Sequence, residues 1–360
     1  YPLIDGVVQD CPALLLEPQR TNLQIRSEEF DNSAWGKSGS TVTANQVVSP
    51  DGSQTADKIN DSGSGTGVVQ VFDSVSSLSS GSTYTFSVFA KKGTIDYIAL
   101  RSENFTTPNN STSYFNISNG TLGTVDVDHT AKIVDFGNGW YRCSITFTIS
   151  TDTSGSLVIR ANEADNTPNV VRDGTKNVYL WGAQFEAGSY PTSYIPTSAS
   201  AATRSADVCN KSGVESLLGQ TEGTLFLEFV PLDTSALQIL FQIRTTGSTN
   251  VGQVDIRFQS SQIRAFGSDN SGTTQFSIAG GSITAGTNYK AAIRYKTNDA
   301  KFYINGSSVG TDTSCSFTSS TKQQISFAEN LSSFLPSIKV KQAIVFDEAL
   351  SDSELATLTS

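Results

Sequence analysis

Sugar rings are held by aromatic side chains that stack on their C–H faces and by Asn, Asp or Arg side chains that fix their hydroxyls. Two stretches of this chain place those residue types close together. In DYIALRSENFTTPNNS, a strand-like run empties into a polar loop and brings together Tyr97, Arg101, Asn104 and Phe105. In QIRAFGSDNSG the corresponding residues are Arg264, Asp269 and Asn270. Both sets are candidate glycan contacts, and the competing reading is that they merely finish strands and turns.

Other chemistries lack the residues they need. A retaining glycosidase holds two carboxyl groups roughly 5 Å apart. The Glu-x-Asp pairs here, Glu29/Asp31 and Glu163/Asp165, have no third acid in step and sit among Asn, Ser, Thr or Pro. His129 is the one histidine, in VDVDHTAK, with no Gly-x-Ser-x-Gly elbow to partner it, and it reads as a solvated surface residue. The glycine run GSGTG at 63–67 is not followed by Lys-Ser/Thr, so it reads as a flexible turn and not a phosphate loop. Asp51, Asp57, Asp61 and Asp73 could serve a structural calcium, but they lack an EF-hand spacing and ordinary turn acids explain them as well. No catalytic residue, metal ligand or cofactor is therefore expected.

Cys11, Cys143, Cys209 and Cys315 lie far apart and show no zinc-type spacing. Cys143 shares an alternating face with Tyr141, Ile145 and Phe147 and reads as a small buried hydrophobe. Cys209 and Cys315 are the pair a disulfide could join, a matter of geometry that spacing does not decide.

These residues must be positioned by strands. The 360 residues suggest about two domains. With 37% hydrophobic residues, only 16% charged and 29 Gly, the composition is that of a turn-rich β protein. The net charge of −10 disfavours a nucleic-acid surface, which needs clustered cations. The longest apolar candidate, PALLLEP, falls far short of the roughly 20 residues of a membrane helix, so no membrane insertion is expected. No signal-like segment precedes Tyr1 and methionine is absent, which suggests a part of a longer chain.

Period-two alternation dominates. In STYTFSVFAKKG, Tyr84, Phe86, Val88 and Ala90 point one way; similar runs are TIDYIALRS, WYRCSITFTI, GSLVIR and NVYLWGAQFE. In the last of these, Tyr179, Trp181, Ala183 and Phe185 are expected on one core face, and Trp35, Trp140 and Trp181 as core or cap residues. A second series begins after residue 220, with Leu225, Leu227 and Phe229 on one face and Ile338, Val340, Ile344 and Phe346 on one face of its last strand. Asn305-Gly306 favours a tight type I′ hairpin. A short C-terminal helix is signalled by SDSELATL, where Ser351 and Glu354 form a capping box. Between the two series, YPTSYIPTSASAATRSAD holds its backbone extended, with Tyr190, Tyr194 and Ile195 lying against the first domain as a strap.

The fold class is thus all-β, with two β-sandwich (jelly-roll) domains in tandem. The boundaries are a lead-in at 1–20, a jelly roll at 21–188, an extended connector at 189–220 and a second sandwich at 221–360. LLLEPQRTNL, SEEFDNSAWGKSG, TADKI, YTFSVFAKKG, GNGWYRCSIT and YLWGAQFEAGSYPTSYIPTSASAATRSAD, spanning residues 14–207, resemble the carbohydrate-binding-module-like jelly roll of bacteriophage fibre and virion proteins. GTLFLEF, KFYINGSSVGTD, IKVKQAIVF and ALSDSELATL resemble the concanavalin A-like or laminin-G-like sandwich. The resemblance implies a non-enzymatic fibre, spike or decoration protein on a virion surface, extracellular and homo-oligomeric, most often three-fold. Its partners would be other copies, other virion proteins and a host-surface glycan. A carbohydrate-binding region of a secreted polysaccharide-active enzyme and a purely structural decoration protein are the alternatives.

Overall fold

The computed structural model describes all residues except 1–2, 5–6, 9–12, 235–236, 248–250, 318–321 and 329–335, so Cys11 lies outside the described residues. Among those described, one short α-helix and one 3-10 turn accompany a fold otherwise built of strands. The chain divides into two compact units, Arg20–Arg204 and a second that combines Tyr1–Gln19 with Ser205–Ser360.

The first unit is a sandwich of twelve strands: β1 (Gly36–Ser38), β2 (Ser40–Val47), β3 (Ala56–Asp61), β4 (Val69–Ser76), β5 (Thr83–Lys92), β6 (Tyr97–Glu103), β7 (Ser111–Asn116), β8 (Thr121–Leu122), β9 (Thr130–Asp135), β10 (Trp140–Thr148), β11 (Ser154–Asn162) and β12 (Asn177–Ala187). One sheet runs β9-β10-β5-β12-β3-β2 and the other β8-β7-β6-β11-β4-β1. Alternation puts Tyr84, Phe86, Val88 and Ala90 of β5 into the core with Cys143, Ile145 and Phe147 of β10, against Ile98, Leu100 and Phe115 of the facing sheet. Cys143 is the buried hydrophobe its face predicts.

β12 departs from simple alternation. Ser87 pairs with Gln184 but Phe89 pairs with Trp181, so two residues of β5 oppose three of β12. Gly182, at φ +62°, supplies the left-handed residue of this bulge. Ala183 and Phe185 face the core as expected; beyond the bulge Val178 and Leu180 do so instead. Tyr179 and Trp181 are turned outward, which corrects the single-face expectation, because one inserted residue exchanges the two faces of a strand.

Outward Trp181 needs cover, and residues 189–204 provide it. Trp181, Phe89 and Trp140 form a buried outer cluster, with the Tyr194 ring 4.4 Å from that of Trp181. Further along β12, the outward and fully buried Glu186 accepts from Thr192 N at 2.9 Å and Thr192 Oγ1 at 2.7 Å. Arg142 donates to Thr192 O at 2.6 Å, and Ile195 N donates to Gln184 Oε1 at 2.8 Å. Ala202–Arg204 then pairs with Arg20–Asn22. The extended segment is held on the first unit through Arg204, while Cys209–Ser212 is already a strand of the second unit.

In the second unit one sheet is ordered Cys209–Ser212, Gln324–Ala328, Gln238–Arg244, Val254–Gln259, Gln262–Ser268, Thr274–Ala279. The other is Ser307–Asp312, Ala300–Ile304, Tyr289–Tyr295, Gly223–Pro231, Ile338–Phe346, Leu14–Leu16. The lead-in thus contributes an edge strand to this unit, a long-range pairing that no local pattern announces. Asn305 and Gly306 take φ +47° and +81°, as the tight hairpin requires. Cys209 and Cys315 are free thiols, not a bridge.

The last strand again carries a bulge: Glu228 pairs with Gln342 and Phe229 with Val340. Ile338 and Val340 enter the core, but Ile344 and Phe346 are turned out, correcting the expectation of one shared face. They meet helix α1 (Asp352–Thr359), whose Leu355 packs with Phe226, Ala292 and Tyr303. The capping box forms as predicted: Ser351 N donates to Glu354 Oε2 at 2.7 Å and Glu354 N to Ser351 Oγ at 3.4 Å. Arg294 ties the helix start down, 2.8 Å from Asp352. Replacing Leu355 by Ala should cost about 2–5 kcal/mol, and Ser351→Ala about 1 kcal/mol, in urea unfolding of the full chain. A loss under about 0.5 kcal/mol for Leu355→Ala, the range of an ordinary surface change, would mean that the helix does not close the sheet.

Candidate functional site

The outward face of the β8-β7-β6-β11-β4-β1 sheet follows from the strand registers. Arg101 of β6 lies in a row with Thr112 of β7, Val158 of β11, Phe72 of β4 and Gly36 of β1. The next row holds Tyr114, Ala99, Arg160, Gln70 and Ser38, and on the other side come Glu103, Ser156 and Ser74. With neighbouring strands about 4.8 Å apart, five residues in a row span about 19 Å. Gly36 is glycine here because the Phe72 ring lies across it; a Cβ would stand 2.4 Å from Phe72 Cζ.

Planar polar groups occupy the centre of this face. Glu103 contacts Arg101 Nε and lies 3.4 Å from Arg160 Nη2. Arg160 Nε donates to Gln70 Oε1 at 2.8 Å and Arg101 Nη1 to Thr112 Oγ1 at 3.2 Å. One carboxylate thus serves two guanidinium groups, which leaves a local excess of one positive charge. Burial, and then the nearby Arg101, lower the Arg160 pKa below the usual arginine value. Tyr97, Gln70, Phe72, Arg101, Glu103 and Thr112 remain half-exposed. The loop at 163–168 walls one end, where Asn162 Nδ2 donates to Thr167 O and Thr124 N to Asp165 Oδ1, both at 2.8 Å.

Of the first sequence-predicted set, Tyr97 and Arg101 share this face and Asn104 stands at its far end, at φ +61° and donating to Ser156 Oγ at 3.1 Å. Phe105 is a correction. It is 3% exposed, packs 5.6 Å from the Phe147 ring and fills the space over Gly155, so it belongs to the core. Glu103, Arg160, Gln70 and Phe72 escaped the sequence reading. For three of them a signal is present in VQVFDSV and SLVIRAN, where Gln70, Phe72 and Arg160 alternate with apolar residues.

The second set is not brought together. Arg264 lies mid-strand, donating to Ser277 Oγ at 3.2 Å, and the hairpin tip is five residues on, roughly 17 Å at 3.4 Å per residue. Asp269 organises that tip, accepting from Ser271 N and Thr273 N at 2.9 Å and from Gln275 Nε2 at 2.9 Å. Desolvation opposes its charge, but these donors prevail and hold its pKa below the ordinary carboxylate value. Asp269 is a turn residue, and Asn270 is exposed beside it.

The four calcium candidates are each engaged. Asp57 accepts from Phe30 N and Asn45 N at 2.8 and 2.9 Å, Asp61 from the amides of Gly63, Gly174 and Lys176, Asp51 from Ser53 N, and Asp73 from Gln24 Nε2. Among the described residues no group of three His, Cys, Asp or Glu is placed to hold a metal ion.

His129 overturns its surface assignment. It is 6% exposed, with Nε2 2.9 Å from Ser102 Oγ and Nδ1 2.9 Å from Ser113 Oγ. Ser102 and Ser113 point inward from β6 and β7, so the imidazole plugs one end of the core, 5.7 Å from the Phe147 ring. Burial outweighs the pull of Asp126 and Asp128 and lowers its pKa to about 4.

No protein-family model and no curated protein matches the chain. Among solved structures, the CBM40 of the Ruminococcus gnavus IT-sialidase aligns at 13% identity and TM-score 0.36 over 42% of this chain and 98% of its own. A heptameric SAP-like pentraxin from Limulus polyphemus aligns at 16% identity and TM-score 0.33 over 40% and 72%. Domains LG4-5 of the mouse laminin alpha1 chain align at 9% identity and TM-score 0.25 over 76% and 86%. Scores this low assign neither a site nor a ligand to this chain.

Between pH 6.5 and 4 the unfolded chain takes up a proton at His129 that the folded chain refuses, so this residue lowers stability as pH falls. Asp57, raised by burial to about 6, acts in the opposite sense between pH 6 and 3.8. Comparison with His129→Gln isolates the histidine: from pH 7 to 5 the wild type should lose about 2 kcal/mol relative to the variant. A difference that stays constant with pH, or an imidazole NMR signal titrating near 6.5, would contradict the buried neutral form.

Proposed function

We propose that the chain is a non-catalytic glycan-binding protein and that its first unit holds the sugar along the outward face of β7, β6, β11 and β4. The observation that carries this is the contrast between the two outward faces of that unit. The middle of one, on β10, β5 and β12, lies under the 189–204 strap, and its open margins carry scattered Thr and Lys side chains such as Thr41, Thr43, Lys58 and Lys132. The other presents two arginines, a glutamate and a glutamine side by side across adjacent strands, flanked by the half-exposed rings of Tyr97 and Phe72. Fixed planar donors and acceptors of this kind match pairs of neighbouring sugar hydroxyls, and the rings offer apolar area for the C–H faces.

Binding without hydrolysis is supported by how the acids are used. Glu29 is paired with Arg26 at 2.8 Å, Glu163 with Lys176 at 3.4 Å, and Asp165 caps Thr124. Glu28, in an open hollow beside Glu29, accepts from Tyr194 Oη at 3.0 Å. None of these pairs stands free across a cleft as acid and nucleophile must.

The setting we infer is an extracellular or virion-surface fibre displaying several copies, where linked weak sites gain about 10²–10⁴ in avidity. That setting rests on the resemblance of residues 14–207. A glycan array followed by calorimetry tests the site: Arg101→Ala and Arg160→Ala should each weaken the best ligand at least about tenfold, the cost of one charge-assisted hydrogen bond, in chains that keep the wild-type strand signal in circular dichroism at the binding temperature. Full binding by both variants would refute the face. Light scattering tests the setting, with three times the 38.3 kDa chain mass expected; a single-chain mass would remove the oligomer and leave the site.

A further inference from the structure

The glycine run at 63–67 encloses a group that the face described above does not use. Thr66–Gly67 pairs with Val170–Val171, and Arg172 follows at once, its amide donating to Gly65 O at 2.9 Å. The Arg172 guanidinium lies against backbone. A Cβ at Gly39 would stand 2.6 Å from Nη1, one at Gly67 3.2 Å from Nη2, and one at Gly65 3.6 Å from Nη2. Gly39 and Gly65 have φ of +62° and +73°, so their conformation alone calls for glycine. Gly67 has no such reason, and the room it leaves is taken by Arg172.

Enclosed in this way, the guanidinium still meets no acceptor among the described residues: its Nε is buried and unbonded, and no ion pair or side-chain hydrogen bond engages it. The acids of the neighbouring loops are committed elsewhere. Glu163 and Asp173 lie 3.4 and 3.7 Å from Lys176 Nζ, and Asp61 accepts three backbone amides. A guanidinium without an acceptor is costly where water is scarce; Arg172 as a whole keeps part of its surface open, and a carboxylate or sulfate meeting its Nη1–Nη2 edge through two parallel N–H bonds would engage it.

The position ties this arginine to the sugar face. Gly39 directly follows Ser38 of β1, and the Val68 carbonyl that closes over Gly39 lies two residues, about 7 Å, from Gln70 along β4. We propose that Arg172 is an oxyanion subsite at the β1–β4 corner of the face, selecting an oligosaccharide that carries a uronate carboxylate or a sulfate ester; this rests on the glycan reading of the face. The net charge of −10 gives no general attraction for an anion, and the Arg101 and Arg160 guanidinium groups are both drawn to Glu103, so Arg172 is the cation of this region that a ligand oxyanion can claim as its own.

The test uses the full chain and three tetrasaccharides: tetragalacturonate, its carboxyl-reduced neutral counterpart, and the 6-O-sulfated form of the latter. Calorimetry should show at least one charged form binding about tenfold tighter than the neutral one, and which form does so identifies the oxyanion. Arg172→Ala should erase that preference and leave neutral affinity unchanged, and Gly67→Ala, which crowds Nη2 without removing the arginine, should reduce it. Equal binding of charged and neutral forms by the wild type, or a preference that survives in Arg172→Ala, overturns the subsite. Neutral binding that depends on Arg101 but shows no charge preference removes the subsite and leaves the face standing. Failure to bind any of the three overturns the subsite as proposed, and the face is then judged on the ligand that the array identifies.

Discussion

Each unit ends its sandwich with a strand that carries one extra residue, and the surfaces of the molecule follow from that insertion. A strand alternates its side chains between core and exterior, so a one-residue slip turns apolar side chains outward beyond the slip. In β12 the slip at Gly182 turns out Trp181; in Ile338–Phe346 it turns out Ile344 and Phe346. Leaving such groups in water is unfavourable by roughly 25 cal/mol per Å² of apolar surface. In both units the chain that follows returns to cover them, as the strap bearing Tyr194 in the first and as helix α1 bearing Leu355 in the second.

The strap could not lie on β12 by apolar contact alone, because its own backbone donors and acceptors are drawn into a dry environment. Glu186, Gln184 and Arg142 meet that need. Their side chains, buried and outward-facing, bond the backbone of Thr192 and Ile195, and Gln184 also donates to Glu186. A carboxylate this deeply buried is tolerable because it is fully bonded. With the middle of one outward face of the first unit covered in this way, the opposite sheet keeps polar side chains open along its central strands, and there Arg101, Glu103, Arg160 and Gln70 stand on adjacent rows.

Much of the architecture was legible from local pattern. Alternation in STYTFSVFAKKG placed Phe86 and Val88 in the core, Asn305-Gly306 gave the hairpin, and Ser351 with Glu354 gave the helix start, because each depends on residues close in sequence. Features set by distant partners were not legible. His129 looked exposed among VDVDHTAK, yet Ser102 and Ser113, from two other strands, hold both its nitrogens. Phe105 looked like a ring in a polar loop, but Gly155, fifty residues on, leaves the space that takes it into the core. Leu14–Leu16 has its partner in Ile338–Val340 at the other end of the chain. The β12 bulge left a trace in Gly182; the second bulge, at Lys341 and Gln342, left none. The site was legible in part: Tyr97 and Arg101 from one strand, but not the rows that β4 and β11 complete.

The most direct test of the account is a backbone amide NMR titration of the chain with a glycan that it binds. The account predicts that shift changes concentrate on Gln70, Phe72, Arg101, Thr112 and Arg160, across four neighbouring strands of one sheet. Changes confined to the strap side of the first unit, or to the second unit, would contradict it.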